Sequence, residues 1–261
     1  MRMKYTYHDT VFTRRTAVIQ KQDLQYVYCG NNPINNVDLR GDSITTVINS
    51  TVTNPDGTTR IQSDSYYYGQ DANGNYGFIG SNGQIYSGSD TYVNSLTTAL
   101  NDLRSGGDVG KSLVGDLVSS TKTVQIAQGR DNKADPNGTY IKWSPNSTTG
   151  GMNEKGTEAR PAYIGLGHEM AHIQDTWNGT IDNSTWVTVG GVSIPNAEKY
   201  STHVENQLRA ENGIPLRTHY GIDASSGTRM GLESTRIIRG RMSLFYIQYY
   251  SPTLITPFIY K

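Results

Sequence analysis

A single cysteine, Cys29, is present in the 261-residue chain. An intrachain disulfide and a zinc site built from thiolates both need at least two cysteines, so both are excluded. The sequence also lacks an excess of charge of either sign, with 23 basic and 23 acidic residues. Proteins that bind nucleic acids usually have a basic excess, so we expect no nucleic-acid partner. Any metal site must therefore use His, Asp or Glu.

Long apolar runs are missing as well. No stretch approaches the roughly 20 apolar residues that a membrane-spanning helix needs, so we expect no membrane span. The opening residues, MRMKYTYHDTVFTRR, lack the apolar core of a secretory signal. Aromatic residues are plentiful by contrast, and 18 Tyr, 4 Phe and 3 Trp supply apolar surface for a folded core. The composition indicates a globular protein of one large domain, or one domain with a small appendage.

The sequence pattern changes near residue 88. Residues 42–88 combine β-branched runs with closely spaced turn signals, such as Asn-Pro-Asp-Gly at 54–57, which predicts β-hairpins in a β-rich linker. Farther along the chain, apolar residues at helical spacing predict helices over 89–105, 109–119, 162–177 and 196–212. Strand patterns lie between these helices, at 122–128, 138–144 and 186–194. We therefore predict an α+β fold.

An HExxH sequence, His168-Glu169-Met170-Ala171-His172, lies inside the helix predicted over 162–177. Residues i and i+4 lie one turn apart on the same helix face, so both imidazoles can bind one Zn²⁺. The carboxylate of Glu169 can then take a proton from water, which is the general-base function of this motif. The pattern predicts a zinc-dependent hydrolase with His168 and His172 as metal ligands.

A catalytic zinc takes a third protein ligand, for which the sequence offers three acidic candidates. Glu198 and Glu205 are seven residues apart, two turns along one face of the last predicted helix. One of them can bind zinc while the other anchors Arg209 or a zinc-bound imidazole. We prefer Glu198 as the ligand, with Glu205 as its alternative. Asp175, one turn after His172, is the third candidate, although we favour for it the orientation of a ligand.

Donors to a developing oxyanion are expected after the turn at 213–215. Arg217, His219 and Tyr220 follow this turn, and each can stabilise the oxyanion of a tetrahedral intermediate. We prefer Tyr220 and His219, because metallopeptidases often place such a donor opposite the zinc. For His203 we expect a position at the surface or at the edge of the core.

Residues 26–41, YVYCGNNPINNVDLRG, resemble the end of the Rhs repeat-associated core. In that family a Tyr-x-Tyr, Asn-Asn-Pro and Asp-Pro-x-Gly block closes the repeat shell, and a variable toxin domain follows it. Leu39 replaces the usual proline in the Asp38-Leu39-Arg40-Gly41 junction. The resemblance implies that residues 1–41 are the end of an Rhs core and that a toxin follows. It also implies a cognate immunity protein as a partner.

A second resemblance covers residues 160–220. RPAYIGLGHEMAHIQD and AEKYSTHVENQLRAENGIPLRTHYG are similar to the zinc metallopeptidases of type III effectors that cut host stress-activated kinases. The resemblance implies a zincin-like domain over 89–261, with His168 and His172 as zinc ligands and Glu169 as the general base. The third ligand of that family is an acidic residue between the motif and the Glu-Asn pair at 205–206, which supports Glu198.

These observations predict a zinc endopeptidase, secreted or delivered into a target cell as a polymorphic toxin, that hydrolyses a target-cell protein. The strand over 138–144 is expected at the lower edge of the sheet, where it would pair with extended substrate. One alternative is a non-catalytic binding or structural module of a surface Rhs protein, with HExxH holding a structural zinc. Another is a zinc hydrolase of a non-peptide amide. Glu169 argues against the structural alternative, because it is not a metal ligand in the predicted mechanism.

Overall fold

The computed structural model describes residues 43–223, 229–251 and 254–261. The Rhs-core end predicted over 1–41 lies outside these residues, together with its Asp38-Leu39-Arg40-Gly41 junction. The described part combines four α-helices with several sheets, and the predicted α+β class is therefore confirmed at this level. None of these helices is long and apolar enough to cross a membrane.

The main sheet has six strands. Along the chain they are β1 (Ser43–Thr53), β2 (Thr59–Gln70), β3 (Tyr76–Ile79), β4 (Thr123–Gln128), β5 (Lys133–Ala134) and β6 (Tyr140–Trp143). Their order across the sheet is β3-β2-β1-β4-β6-β5. β1, β4 and β6 run parallel to one another, whereas β5 is antiparallel to β6 and forms the edge. The edge strand is therefore β5, and the strand predicted over 138–144 lies one position inside it. The strand predicted over 138–144 is present as β6, but its predicted position at the edge was wrong. The edge strand β5 could not be predicted, because two residues inside a turn-rich loop give no strand pattern.

Four helices lie along the chain; the first three contact this sheet, and the fourth packs against the second and third. They are α1 (Thr91–Ser105), α2 (Asp108–Val118), α3 (Ala162–Asn178) and α4 (Ala197–Glu211). Asp90 caps α1, since its carboxylate accepts a hydrogen bond from the Val93 N–H at 3.0 Å. Gly179 ends α3 in a left-handed conformation, with φ 71°. These bounds agree with the predicted helices to within two residues, because each helix has a clear apolar face and a stop signal.

The segment predicted as a β-rich linker packs with the helices. Its strands are β1, β2 and β3, and β1 pairs in parallel with β4 over Ser43–Thr45. Ile44, Tyr68 and Phe78 are buried in the same apolar core as the helix residues Leu96 and Leu100. Residues 43–79 and the helical part therefore share one sheet and one core, whereas the domain bounds at 88 and 89 stay a prediction.

Smaller sheets follow the third helix. A hairpin of β7 (Thr185–Val189) and β8 (Val192–Pro195) precedes α4, where one continuous strand-like segment was predicted. After α4 come β9 (Ile222–Asp223), β10 (Met230–Gly231), a short 3₁₀ helix (Glu233–Thr235), β11 (Ile238–Arg239), β12 (Met242–Ser251) and β13 (Leu254–Ile259). Leu216, Ile237, Ile238 and Tyr260 form a second buried cluster beneath them. This cluster supports the chain just after α4, where the last candidate site residues lie.

Candidate active site and metal centre

Two neighbouring helices bring the predicted ligands together. α3 carries His168, Glu169 and His172, and α4, which packs against α3, carries Glu198 and Glu205. The imidazole rings of His168 and His172 lie one helical turn apart, with centroids 5.0 Å from each other at an interplanar angle of 77°. His168 and Glu169 are buried, at 6% and 9% exposure. The motif thus occupies the covered face of α3.

Glu198 lies between the two imidazoles. Its Oε2 is 3.1 Å from Nε2 of His168 and 3.3 Å from Nε2 of His172. In tetrahedral zinc with bonds near 2.1 Å, neighbouring ligand atoms are about 3.4 Å apart, so both distances fit one shared ion. His168, His172 and Glu198 form a group of ligand atoms that all lie within 4.8 Å of one another. The donor set, two imidazoles and a carboxylate, is one that catalytic zinc sites use.

Glu205 contacts the second ring nitrogen of His168. Its Oε2 is 3.0 Å from Nδ1 of that imidazole, while Oε1 accepts from Nε of Arg209 at 2.9 Å. Arg217 donates from Nη1 to Oε2 at 2.9 Å. Glu205 and Arg209 are completely buried, so this network is shielded from water. Glu205 therefore orients the His168 ring through Nδ1, so that Nε2 is directed at Glu198.

The ionisation of these groups follows from their contacts. Burial alone would lower the pKa of His168, but its hydrogen bonds to Glu198 and Glu205 outweigh this and raise its pKa to about 9. Burial raises the pKa of Glu205, but the charges of Arg217 and Arg209 hold it well below its usual range. For Glu198, burial is again opposed, here by the imidazoles, and the pKa is lowered. The metal-free site therefore contains an imidazolium between two carboxylates.

Ser201 contacts the second imidazole at Nε2, the nitrogen that also faces Glu198. Its Oγ lies 2.9 Å from Nε2 of His172 and donates to the Ala197 carbonyl oxygen at 3.0 Å. Ser201 was not predicted from the sequence, although it lies three residues after Glu198 and therefore on the same face of α4. Helical spacing was the signal that could have found it.

The carboxylate of Glu169 is held by a backbone group. The N–H of Ala134, on the edge strand β5, donates to Oε2 of Glu169 at 2.7 Å. This distance is that of a charge-assisted hydrogen bond. Ala134 was not predicted from the sequence, and no side-chain pattern could have shown it, because the donor is a main-chain group.

Tyr220 lies beside the group of His168, His172 and Glu198, which we call the His168–Glu198 cluster. Burial, followed by the negative charge of Glu198, raises its pKa, and the carboxylate of Glu169 adds to the shift. Its ring lies under the guanidinium of Arg217, with Cζ 4.6 Å from the ring centroid. The Tyr220 hydroxyl is therefore a neutral donor near the two carboxylates at neutral pH.

His219 is directed elsewhere, although it was predicted as an oxyanion donor with Tyr220. Its Nδ1 is 2.9 Å from the Thr218 hydroxyl and its Nε2 is 3.5 Å from Oε2 of Glu233. Gly231 covers the ring so closely that a Cβ there would lie 2.1 Å from Nδ1. Its side chain therefore packs under the β10 segment rather than joining the His168–Glu198 cluster.

Three other candidates also have partners outside the cluster. Asp175 accepts from the Thr180 hydroxyl just after α3, at 2.5 Å. His203 stacks on Tyr246 with ring centroids 4.0 Å apart, and burial lowers its pKa to about 4. Arg217 binds Glu205 and also donates from Nη2 to the Tyr220 carbonyl oxygen at 2.9 Å. These contacts leave Glu198 as the acidic candidate that lies between both imidazoles.

Comparison with known proteins places the chain within a family. The family model Peptidase_M91, described as an effector protein, matches residues 81–220, which is more than half of the chain. The chain belongs to this family. The matched range begins ten residues before α1 and ends at Tyr220, so it includes the HExxH helix, α4 and the arginine network. No curated protein matches the chain.

Membership in this effector peptidase family supports a peptidase with an effector function. The β1–β2 hairpin and the strands β9 to β13 lie outside the matched range. The side chains of the His168–Glu198 cluster all lie inside it, so the part of the chain shared with the family is the part that carries the candidate chemistry.

Proposed function

We propose that this protein is a zinc-dependent endopeptidase that acts as an effector toxin, cutting a protein inside the cell into which it is delivered. The observation that supports the metal is the position of Glu198, whose Oε2 is 3.1 and 3.3 Å from two imidazole nitrogens. The peptidase class and the effector function rest on the family. His168, His172 and Glu198 would hold the ion.

A zinc ion at these ligands would supply Lewis acidity, which polarises a peptide carbonyl and lowers the pKa of water to about 7. The residues of the chain supply the rest of the reaction. Glu169 takes a proton from water as the water oxygen adds to the scissile carbonyl carbon. When the C–N bond breaks, the same carboxyl group returns the proton to the leaving amine. One carboxylate on α3 thus serves both proton transfers.

Tyr220 is the proposed donor to the carbonyl oxygen. Its raised pKa keeps the hydroxyl protonated at neutral pH, so it can donate a hydrogen bond where negative charge develops. The ring contacts the Arg217 guanidinium over one face and the Trp186 ring in an edge contact, with ring centroids 6.3 Å apart. A donor fixed in advance in this way costs little reorganisation during the reaction.

An extended peptide would bind along β5. This strand is the edge of the sheet, and its Ala134 N–H contacts Glu169, so a chain running beside it passes the general base. The substrate class is therefore an extended segment of a target-cell protein.

The test combines metal analysis with cleavage. We expect about one zinc per chain in the purified protein and at least tenfold weaker zinc binding in Glu198→Gln. Glu211→Gln, on the same helix, is the matched control, because that carboxylate accepts from the Val109 N–H and not from an imidazole. A wild type that takes up no zinc at neutral pH would refute the metal centre.

Cleavage is measured by identifying new protein N-termini in a lysate of target cells. Glu169→Gln should keep zinc and produce none of the new termini, since it removes the base and not a ligand. Equal cleavage by this variant would refute the proposed mechanism. If the wild type produces no new termini but cleaves a non-peptide amide, the alternative of a zinc hydrolase of non-peptide amides is favoured. Zinc binding without any hydrolysis would favour the structural module.

The Rhs association and the cognate immunity protein are further parts of the proposal. Both rest on the resemblance of residues 26–41 to the end of an Rhs core. Co-expression of the neighbouring gene product with the toxin tests the immunity partner, because a cognate inhibitor should restore growth and co-purify with the chain.

A further inference from the structure

The edge strand β5 has a main-chain N–H group that points away from the neighbouring strand β6. Ala134 is opposite Ile141 in the antiparallel pair of β5 and β6, and the next residue, Asp135, donates its N–H to the Tyr140 carbonyl oxygen at 2.9 Å. Residues in an antiparallel pair alternate between facing the partner strand and facing away from it. The Ala134 N–H therefore points away from β6, and it meets Oε2 of Glu169 at 2.7 Å.

Local packing explains why the strand comes so close to the helix. Gly165 lies one turn before Glu169 on α3, and a Cβ there would be 2.4 Å from Nδ2 of Asn132 and 2.5 Å from Nη1 of Arg160. A larger residue at position 165 would have to displace these two side-chain ends. Asn132 is in turn anchored to the end of β6, because its Oδ1 accepts from the Ser144 N–H at 3.0 Å. The segment leading into β5 is thus fixed against the face of α3 that carries Glu169.

We propose that the Ala134 N–H positions the Glu169 carboxylate for proton transfer, which makes Ala134 a positioning residue of the peptidase. This inference rests on the proposed function, since it needs Glu169 to be the base. A glutamate side chain has several rotatable bonds, and a hydrogen bond to one oxygen restricts them. With Oε2 held by the strand, Oε1 is the oxygen left to face water. The edge of the sheet and the catalytic base are thereby coupled through one backbone bond.

The contact is tested without any substrate, by amide hydrogen exchange in the zinc-loaded full chain. The Ala134 amide should exchange at least tenfold faster in Glu169→Ala than in the wild type, since the acceptor is gone. The Asp135 amide is an internal reference, because its acceptor is the Tyr140 carbonyl oxygen, and its exchange should not change. Equal protection of Ala134 in both proteins would overturn the inference.

The effect on the reaction is tested with Ala134→Pro, which removes the N–H. Proline is tolerated on an edge strand where the N–H points out of the ladder, so the sheet should survive. Ala134→Gly loses the side chain and keeps the N–H, and is the matched comparison. With dye-labelled casein as the probe, kcat of the proline variant should fall at least tenfold further than that of the glycine variant. KM and zinc content should differ by less than about twofold between the two variants.

Each outcome separates this inference from the proposed function. Equal kcat in the proline and glycine variants would overturn the positioning of Glu169, even if zinc and cleavage are as proposed. A change in KM alone would also overturn it, because it would show that the N–H serves substrate binding. Failure of the wild type to cleave casein would count against the proposed function, and the exchange experiment would still decide whether Ala134 holds Glu169.

Discussion

Loss of Glu205 should destabilise the protein far more than loss of Glu198, although both carboxylates contact the same imidazole. The change to make is Glu205→Ala, in zinc-free protein so that metal binding does not contribute. Glu205 is completely buried and accepts from Arg209 and Arg217 as well as from His168. Its removal leaves two buried guanidinium groups without their counter-ion.

The magnitude follows from this uncompensated charge. Breaking a buried ion pair by removing one partner costs about 3–5 kcal/mol. The total stability of a domain is about 5–15 kcal/mol. For a chain of this size, a loss of 1 kcal/mol lowers Tm by about 2–4 °C, so Glu205→Ala should lower it by roughly 6–20 °C. Glu198→Ala removes a side chain that is 14% exposed and lies between imidazoles, and it leaves no buried guanidinium group without its counter-ion, so we expect a smaller loss than for Glu205→Ala.

Urea unfolding at pH 8, with a chelator present and followed by circular dichroism, measures both variants. We expect a large fall in the unfolding midpoint for Glu205→Ala and a small one for Glu198→Ala, with m unchanged in each. Zinc affinity should show the reverse order among variants that still fold. Equal midpoints, or a loss below 1 kcal/mol for Glu205→Ala, would refute the assignment of Glu205 to the arginine network.

Three further predictions use other parts of the structure. Gly110→Ala should destabilise the protein by about 1–3 kcal/mol, because its Cβ would lie 2.0 Å from the Leu103 carbonyl oxygen. Gly115→Ala in the same helix meets nothing within 4 Å and should stabilise the protein by about 0.5–1 kcal/mol. Thermal unfolding of the two variants checks these opposite signs. His168 has a pKa of about 9 in the metal-free fold against an ordinary 6.5, so the stability it contributes is fully present below pH 6.5 and is lost as the pH rises through 9. Urea unfolding of chelated protein at pH 6.5 and pH 9 should show this loss, while zinc binding should strengthen over the same range because it needs the neutral imidazole. Tyr220→Phe should lower kcat by about 10²-fold and leave zinc content unchanged, and Tyr249→Phe, at an exposed site, is the control; an unchanged kcat in Tyr220→Phe would exclude the hydroxyl as the oxyanion donor.

The helices that carry the site were predictable because their signals are local. His168 and His172 at i and i+4, within an apolar helix ending at Gly179, predict both the element and the face on which the ligands lie. Glu198 and Glu205 share one face of α4 for the same reason. What helical spacing could not decide was which of the two carboxylates lies between the imidazoles, because this depends on how α4 packs against α3.

The sheet was less predictable because its pairing is long-range. The segment before residue 88 showed hairpin patterns, but nothing local indicated that Ile44 and Phe78 would enter the same core as the helices. β5 consists of Lys133 and Ala134 inside a loop rich in Asp, Asn and Gly, so its assignment depends entirely on its partner β6. The contact of Ala134 with Glu169 uses a backbone N–H, which every residue except proline possesses.

Charge explains why two glutamates that touch one imidazole serve different purposes. Glu205 is neutralised by Arg209 and Arg217, and its pKa is held low by them, so it already has its counter-ions. Among the described residues, Glu198 forms ion pairs with the imidazoles of His168 and His172 alone. A neutral imidazole cannot balance a carboxylate, so Glu198 keeps an unbalanced negative charge at a pH where both rings are neutral. On the proposed function, a divalent cation would restore that balance, so we expect metal binding to be strongest at the pH where the metal-free form is least stable.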